Sequence, residues 1–139
     1  STRMLYNTGI KACANAGNLV EAERLHREMR ERNIHPNEKC YAKMMEAAGK
    51  AGDLSAAERW YAAKVEHFGS GDLIDFVQLI QAAGAVCNTQ AAERWFAELE
   101  VSNIQPNQRV FEGMMRAGAR AGNFSFAESW FDKAREQGF

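Results

Sequence analysis

The sequence predicts an all-α fold, a right-handed superhelix of stacked helix–turn–helix repeats. Two observations predict it: positions that recur every 35 residues, and apolar residues spaced three and four apart within each unit. The clearest recurring positions are the aromatic residues Tyr6, Tyr41, Phe76 and Phe111. The composition agrees, because the chain is rich in alanine, the strongest helix former, and has only two prolines.

The recurrence divides residues 1–139 into a single array. Its units lie at about 3–37, 38–72, 73–107 and 108–139. The same shift also aligns a turn position, occupied by Gly17, Gly52, Cys87 and Gly122. Because neither end carries a distinct polar capping helix, we expect the array to be a fragment of a longer one.

The first half of each unit is predicted to be an amphipathic helix. In the second unit one helical face carries Tyr41, Met44, Met45 and Ala48. A glycine such as Gly17 then ends the helix, because glycine adopts the left-handed conformation at low cost. Asn18 is expected to cap the next helix, and Asn18 with Glu21 resembles a capping box.

The second half of each unit is predicted to be a helix that fills the space between neighbouring units. A Trp recurs at one slot as Trp60, Trp95 and Trp130, and we expect these residues to belong to the core. His26 occupies a slot that is otherwise aromatic, so we expect it to pack rather than to bind a ligand. A Glu also recurs in every unit, which favours a scaffold role near the helix N-terminus over catalysis.

The composition disfavours several classes of function. No apolar run approaches the ~18–20 residues needed to cross a bilayer, so we expect no membrane insertion. The three cysteines have no CxxC spacing, and no catalytic constellation, Gly-rich phosphate loop or metal-spaced cluster is present. We therefore expect no enzyme activity, no small-molecule substrate, no cofactor and no bound metal. The net charge of −1 gives no overall preference for nucleic acid.

The unit with the most specific pattern is the first. It contains Tyr6-Asn7-Thr8, the turn Ala16-Gly17-Asn18-Leu19 and the ending Ile34-His35-Pro36-Asn37. In these features and in its period, the sequence resembles the pentatricopeptide repeat family over essentially all of its length. The resemblance implies a module that binds single-stranded RNA in organellar RNA processing or translation, in a mitochondrion or a chloroplast.

The resemblance also implies that each repeat reads one base with two side chains. These are the residue after the early aromatic and the last residue of the unit, here Asn7 with Asn37, Ala42 with Asp72, and Val77 with Asn107. The first pair matches the family's pyrimidine-preferring combination. The side chains of Ala42 and Val77 cannot form hydrogen bonds, so readout by the family pattern is expected at the first unit only.

The resemblance implies further contacts, to RNA bases and to RNA phosphates. The family sandwiches bases with the residue two before the aromatic, here Met4, Lys39, Ile74 and Arg109. The two basic members of this set would contact phosphate more naturally. The first helices carry eight basic residues against four acidic ones, and Lys11, Lys50, Arg116 and Arg120 are the expected phosphate contacts.

Structural interpretations of the same residues remain open. Asn37, Asp72 and Asn107 stand where a helix needs an N-cap, and Ile74 could pack on a neighbouring unit instead of a base. The near-zero net charge and the incomplete reading pairs also fit another function. In that alternative the chain is a protein–protein interaction scaffold, or a structural subunit bound to the other subunits of a large organellar complex.

Overall fold

The computed structural model describes residues 1–139 and consists of eight α-helices with no strand. The helices are α1 (Thr2–Ala16), α2 (Leu19–Glu31), α3 (Glu38–Ala51), α4 (Leu54–Phe68), α5 (Leu73–Ala85), α6 (Thr89–Val101), α7 (Gln108–Arg120) and α8 (Phe124–Glu136). Each unit of the sequence pattern contributes two of them. None of the eight has the length and apolar character that crossing a bilayer requires.

The helices form two layers. The inner helices α1, α3, α5 and α7 pack on one another in order along the array. The outer helices α2, α4, α6 and α8 each approach inner helices, but their backbones do not approach one another. Because the inner layer is the more closely spaced, the array curves with the inner helices on its concave side. The predicted all-α repeat architecture is confirmed.

Every helix begins at a side chain that caps it. Ser1 and seven Asn or Asp residues each accept a hydrogen bond from the backbone N–H three residues later. The expected capping box of Asn18 and Glu21 is only half formed, because the Glu21 carboxylate turns to the Arg24 guanidinium. The complete box forms at Asp72 and Asp75 instead.

The turn between the two helices of a unit requires a left-handed residue. Gly17, Gly52 and Gly122 have φ between 70° and 73°, as the sequence predicts. Cys87 adopts the same conformation with φ 58°, which a side chain disfavours. Its Sγ lies 3.4 Å from the Arg120 carbonyl of the next unit, so the cysteine adds a contact between units where glycine would add none.

Aromatic side chains fill the junctions between units. At each junction one ring from an outer helix meets two rings of the next unit, one from its inner helix and one from its outer helix. The three sets are His26 with Tyr41 and Trp60, Tyr61 with Phe76 and Trp95, and Phe96 with Phe111 and Trp130. The closest ring centroids in each set are 4.5 to 5.1 Å apart. The predicted packing roles of the three Trp residues and of His26 are confirmed.

The recurring Glu contributes to one of these junctions. The Glu58 carboxylate accepts a 2.8 Å hydrogen bond from Trp95 Nε1 and lies 2.9 Å from the Arg94 guanidinium, both in the next unit. This glutamate therefore links neighbouring outer helices, a role that the helix-terminus interpretation did not include.

The buried position of His26 in the first aromatic set disfavours protonation of its ring. The side chain is 2% exposed and its Nε2 has no hydrogen-bond partner. Burial, together with the nearby Arg30 charge, lowers the pKa of His26 to about 4. The folded protein therefore resists protonation of this ring, whereas the unfolded chain accepts a proton near the ordinary pKa of ~6.5.

We expect acid sensitivity from His26. His26 does not lower the free energy of unfolding above about pH 6.5. As the pH falls from there toward about 4, the free energy of unfolding decreases, because only the unfolded state binds the proton. The loss should reach about 2–3 kcal/mol. Urea unfolding at pH 7 and pH 4.5 would measure it, with His26→Phe as the matched variant. An equal drop in both proteins would contradict this assignment.

Candidate nucleic-acid interface

A groove on the concave side gathers most of the residues that the sequence singled out in the first two units. It lies between α1, α3 and the start of α5 and encloses about 470 Å³. We call it the lysine groove. Its lining residues are Asn7, Ile10, Lys11, Asn37, Lys39, Cys40, Ala42, Lys43, Glu46 and Ile74.

Five predicted site residues meet in the lysine groove: Asn7, Lys11, Asn37, Lys39 and Ile74. The chain brings them together from two units and the start of a third, because successive inner helices pack side by side. Three of the lining side chains are basic and one is acidic. The groove therefore favours an anionic ligand that also has an apolar part.

Asn7 and Asn37, the predicted base-reading residues of the first unit, both line this groove but differ in their hydrogen bonds within the protein. Asn37 Oδ1 accepts a 2.9 Å hydrogen bond from the Cys40 N–H and caps α3, which leaves its amide nitrogen free to donate. Asn7 is half-buried, and its Oδ1 has no hydrogen-bond partner in the protein. The capping role of Asn37 is thus confirmed, and its amide nitrogen remains free to donate a hydrogen bond to a ligand.

Apolar groups form the floor and one wall of the groove. Ile10 and Cys40 are buried in the floor, while Ile74 is 58% exposed at the edge. Burial raises the pKa of the Cys40 thiol to about 11, so this group stays protonated and unreactive at neutral pH. Ile74 is too exposed to serve mainly as packing for a neighbouring unit, and its side chain is free to cover a flat ligand.

Sequence reasoning missed two charged residues of the groove, Lys43 and Glu46. The Lys43 ammonium lies 3.5 Å from one Glu46 carboxylate oxygen, and the Lys50 ammonium lies 3.8 Å from the other. Lys50 also donates to the Asn15 carbonyl of α1 at 3.4 Å. The helical spacing of Lys43, Glu46 and Lys50 indicates the pairing, but these slots are not among the positions that recur between the units.

Asp72, the predicted base-reading residue of the second unit, is engaged by partners within the protein. Asp72 Oδ1 accepts from the Asp75 N–H at 3.1 Å, and Asp72 Oδ2 lies 3.6 Å from the Lys64 ammonium. Lys64 and Asp75 are each 1% exposed and pair at 2.5 Å. Glu38 adds a third carboxylate, 3.8 Å from the Lys64 ammonium. The capping role of Asp72 is confirmed, and both of its oxygens face partners within the protein.

The last two units present a less favourable surface. Val77 is buried at 6% exposure, so this reading slot offers no side chain to a ligand. Asn107 caps α7 by accepting from the Val110 N–H at 3.1 Å. Glu112 is exposed on α7 and pairs with Gln108, placing a carboxylate where the family reads a base.

The remaining predicted contacts lie outside the lysine groove. Met4 is 65% exposed on α1. Arg109, Arg116 and Arg120 are exposed on α7, on the other side of α5 from the groove. No group of three or more His, Cys, Asp or Glu residues has a geometry that could hold a metal ion. The concave side therefore has two basic areas, one in the first two units and one in the last.

Comparison with known sequences identifies the repeat. Residues 2–50 match the model of the PPR repeat family, which is the pentatricopeptide repeat. Over these residues the chain is similar to the pentatricopeptide repeat. The match covers the first unit and nearly all of the inner helix of the second, which carry every lining residue of the lysine groove except Ile74. The resemblance read from the sequence is thereby confirmed, whereas no curated protein sequence matches the chain significantly.

Solved structures of a pentatricopeptide repeat protein, PPR10, have the same fold. The chain superposes on PPR10 in complex with an 18-nt psaJ RNA element with a TM-score of 0.84 and 19% sequence identity, over 99% of this chain. A variant of that complex with three cysteine-to-serine substitutions gives the same values. PPR10 from maize, in a structure described without RNA, gives 0.73 and 22% over 96% of this chain. The chain spans about a fifth of the length of PPR10.

The buried pair Lys64 and Asp75, between the second and third units, yields a prediction about stability. Asp75→Val should lower the free energy of unfolding by about 3–5 kcal/mol, because it leaves the Lys64 ammonium buried without its closest partner. The double variant Lys64→Met with Asp75→Val should recover most of the loss, since the first unit has Met29 and the fourth has Val110 at these slots. Chemical denaturation monitored by circular dichroism measures both. A double variant no more stable than Asp75→Val would contradict the proposed coupling.

Proposed function

We propose that this chain is a non-catalytic module that binds single-stranded RNA along its inner helices. The observation that carries the proposal is the lysine groove, which is lined by Lys11, Lys39 and Lys43 together with the Asn7 and Asn37 amides. Lysine ammonium groups bind phosphate as point charges and release counterions, whereas amides can form directed hydrogen bonds with a base. One groove thus supplies both types of contact that a nucleotide requires.

Single-stranded RNA fits this site better than a duplex does. The groove is a pocket between neighbouring inner helices, and a base can enter it only when it is unpaired and turned out of a stack. The exposed Ile74 at its edge can cover the face of such a base. The family resemblance adds a preference for a pyrimidine at the Asn7 and Asn37 pair.

The fold comparison supports the same proposal by analogy. PPR10 is described in complex with an RNA element, and this chain superposes on part of that protein almost throughout. From the family resemblance we further propose that the protein acts in RNA processing or translation in a mitochondrion or a chloroplast. Fractionation of cells that express the tagged full-length protein tests this part, and a cytosolic location would contradict it.

A second candidate function is a protein-interaction scaffold. The observations that favour it are the buried Val77 and the exposed Glu112 at two reading slots, together with the closed network around Asp72. In this case the partner would be a protein subunit of a larger assembly. Its binding would depend little on salt and would respond to substitutions on the outer helices.

The RNA proposal predicts the effect of removing two lysines from the groove. In Lys11→Gln with Lys39→Gln, the affinity for a fluorescent single-stranded pyrimidine RNA should fall about tenfold or more at low salt. The slope of log K against log salt should flatten by about 0.7 for each phosphate that the variant no longer neutralises. Fluorescence anisotropy at several salt concentrations measures both quantities.

A control variant separates local contacts from net charge. Arg27→Gln with Arg59→Gln removes the same two charges from exposed positions on the outer helices α2 and α4. Its affinity and salt slope should stay close to those of the parent chain. Equal decreases in affinity in the two double variants would refute an RNA site in the lysine groove, and an absence of RNA binding at low salt would favour the scaffold.

A further inference from the structure

Glu46 is the only acidic side chain in the lysine groove. Its side chain is 20% exposed and lies between the half-buried Lys43 and the exposed Lys50 on the same helix. One of its oxygens, Oε2, is buried and has no hydrogen-bond partner. The carboxylate is therefore held in the groove by one long hydrogen bond, 3.5 Å, from the Lys43 ammonium and by a looser ion pair with Lys50.

The slot of Glu46 is acidic in one unit only. The residues in the same slot of the first, third and fourth units are Lys11, Gln81 and Arg116. Two of these are candidates for phosphate contact, and the third is neutral. The second unit thus places a negative charge where its neighbours place a positive charge or none, inside the groove that otherwise favours an anion.

We propose that Glu46 is an internal competitor for Lys43 and Lys50 and thereby limits the affinity of the site for RNA. The proposal rests on the RNA-binding function proposed above. In the free protein the carboxylate neutralises Lys43 and Lys50, and RNA phosphates must take its place.

The geometry makes this exchange favourable for a phosphate. Nitrogen-to-oxygen separations of 3.5 and 3.8 Å are longer than those of a charge-assisted hydrogen bond, and exposed ion pairs of this kind contribute little stability. Lys50 is held a second time by the Asn15 carbonyl at 3.4 Å, so Lys43 is the easier of the two to release. Glu46 therefore weakens binding without preventing it.

Replacing the carboxylate by its neutral isostere tests the proposal. Glu46→Gln should bind a fluorescent single-stranded pyrimidine RNA about three- to tenfold more tightly than the parent chain at low salt. The salt slope should become steeper. Without the Glu46 carboxylate, Lys43 and Lys50 neutralise RNA phosphates directly, and each neutralised phosphate releases a counterion from the RNA. Glu93→Gln is the matched control, since it removes one exposed acidic charge from the outer helix α6 and should leave both quantities unchanged.

A background without the two lysines tests how Glu46 acts. In Lys43→Met with Lys50→Met, adding Glu46→Gln should change the affinity by less than twofold if the carboxylate acts mainly by occupying these lysines. A full gain in that background would overturn the competitor mechanism in favour of simple repulsion. Circular dichroism spectra confirm that each variant remains folded.

Inorganic tripolyphosphate distinguishes this inference from the proposed function. If RNA binds the parent chain and Glu46→Gln binds it no more tightly, the inference fails while the function stands. If RNA binds neither protein but Glu46→Gln binds tripolyphosphate more tightly than the parent chain, the proposed function fails while the competitor role stands. If neither ligand distinguishes the two proteins and RNA binds neither, both proposals are refuted.

Discussion

The packing of each helical hairpin against the next is the interaction on which the rest of the structure depends. A single hairpin leaves the aromatic and aliphatic face of its inner helix open to water, and only the next unit covers it. The sets of three rings at the junctions perform this task, and the side-by-side packing of the inner helices follows from them. The lysine groove is a product of the same contact, because its lining residues come from consecutive units.

The Lys64 and Asp75 pair shows how one junction differs from the others. At this junction a buried ammonium and a buried carboxylate meet where the other units place Met, Leu, Ala, Cys or Val. Such a pair contributes little net stability, but each member is costly when it is buried alone. The second unit consequently requires the third as a specific neighbour, and the network that enforces this requirement also engages Asp72.

The sequence predicts the fold well because the same local signals occur in each of the four units. The turn glycines, the caps and the ring positions are local signals, and four copies make each of them easy to recognise. The groove is only partly predictable, because a repeat pattern highlights what the units share. Glu46, Lys43 and Lys64 depart from that pattern. Lys43 and Glu46 pair within α3, whereas the closest partner of Lys64 lies on α5 and is set by packing between helices. The half-formed box at Glu21 has a similar origin, since Arg24 competes for the same carboxylate.

The spacing of the inner helices also sets a length scale for anything that lies along them. Packed helix axes are about 8–10 Å apart, whereas the bases of a stacked nucleic acid strand advance by about 3.4 Å. A polymer that placed one residue against each unit would have to be drawn out to well over twice its stacked rise. The protein would then bind unstacked, extended chains in preference to others, and a strand folded into stable stems could not contact successive units.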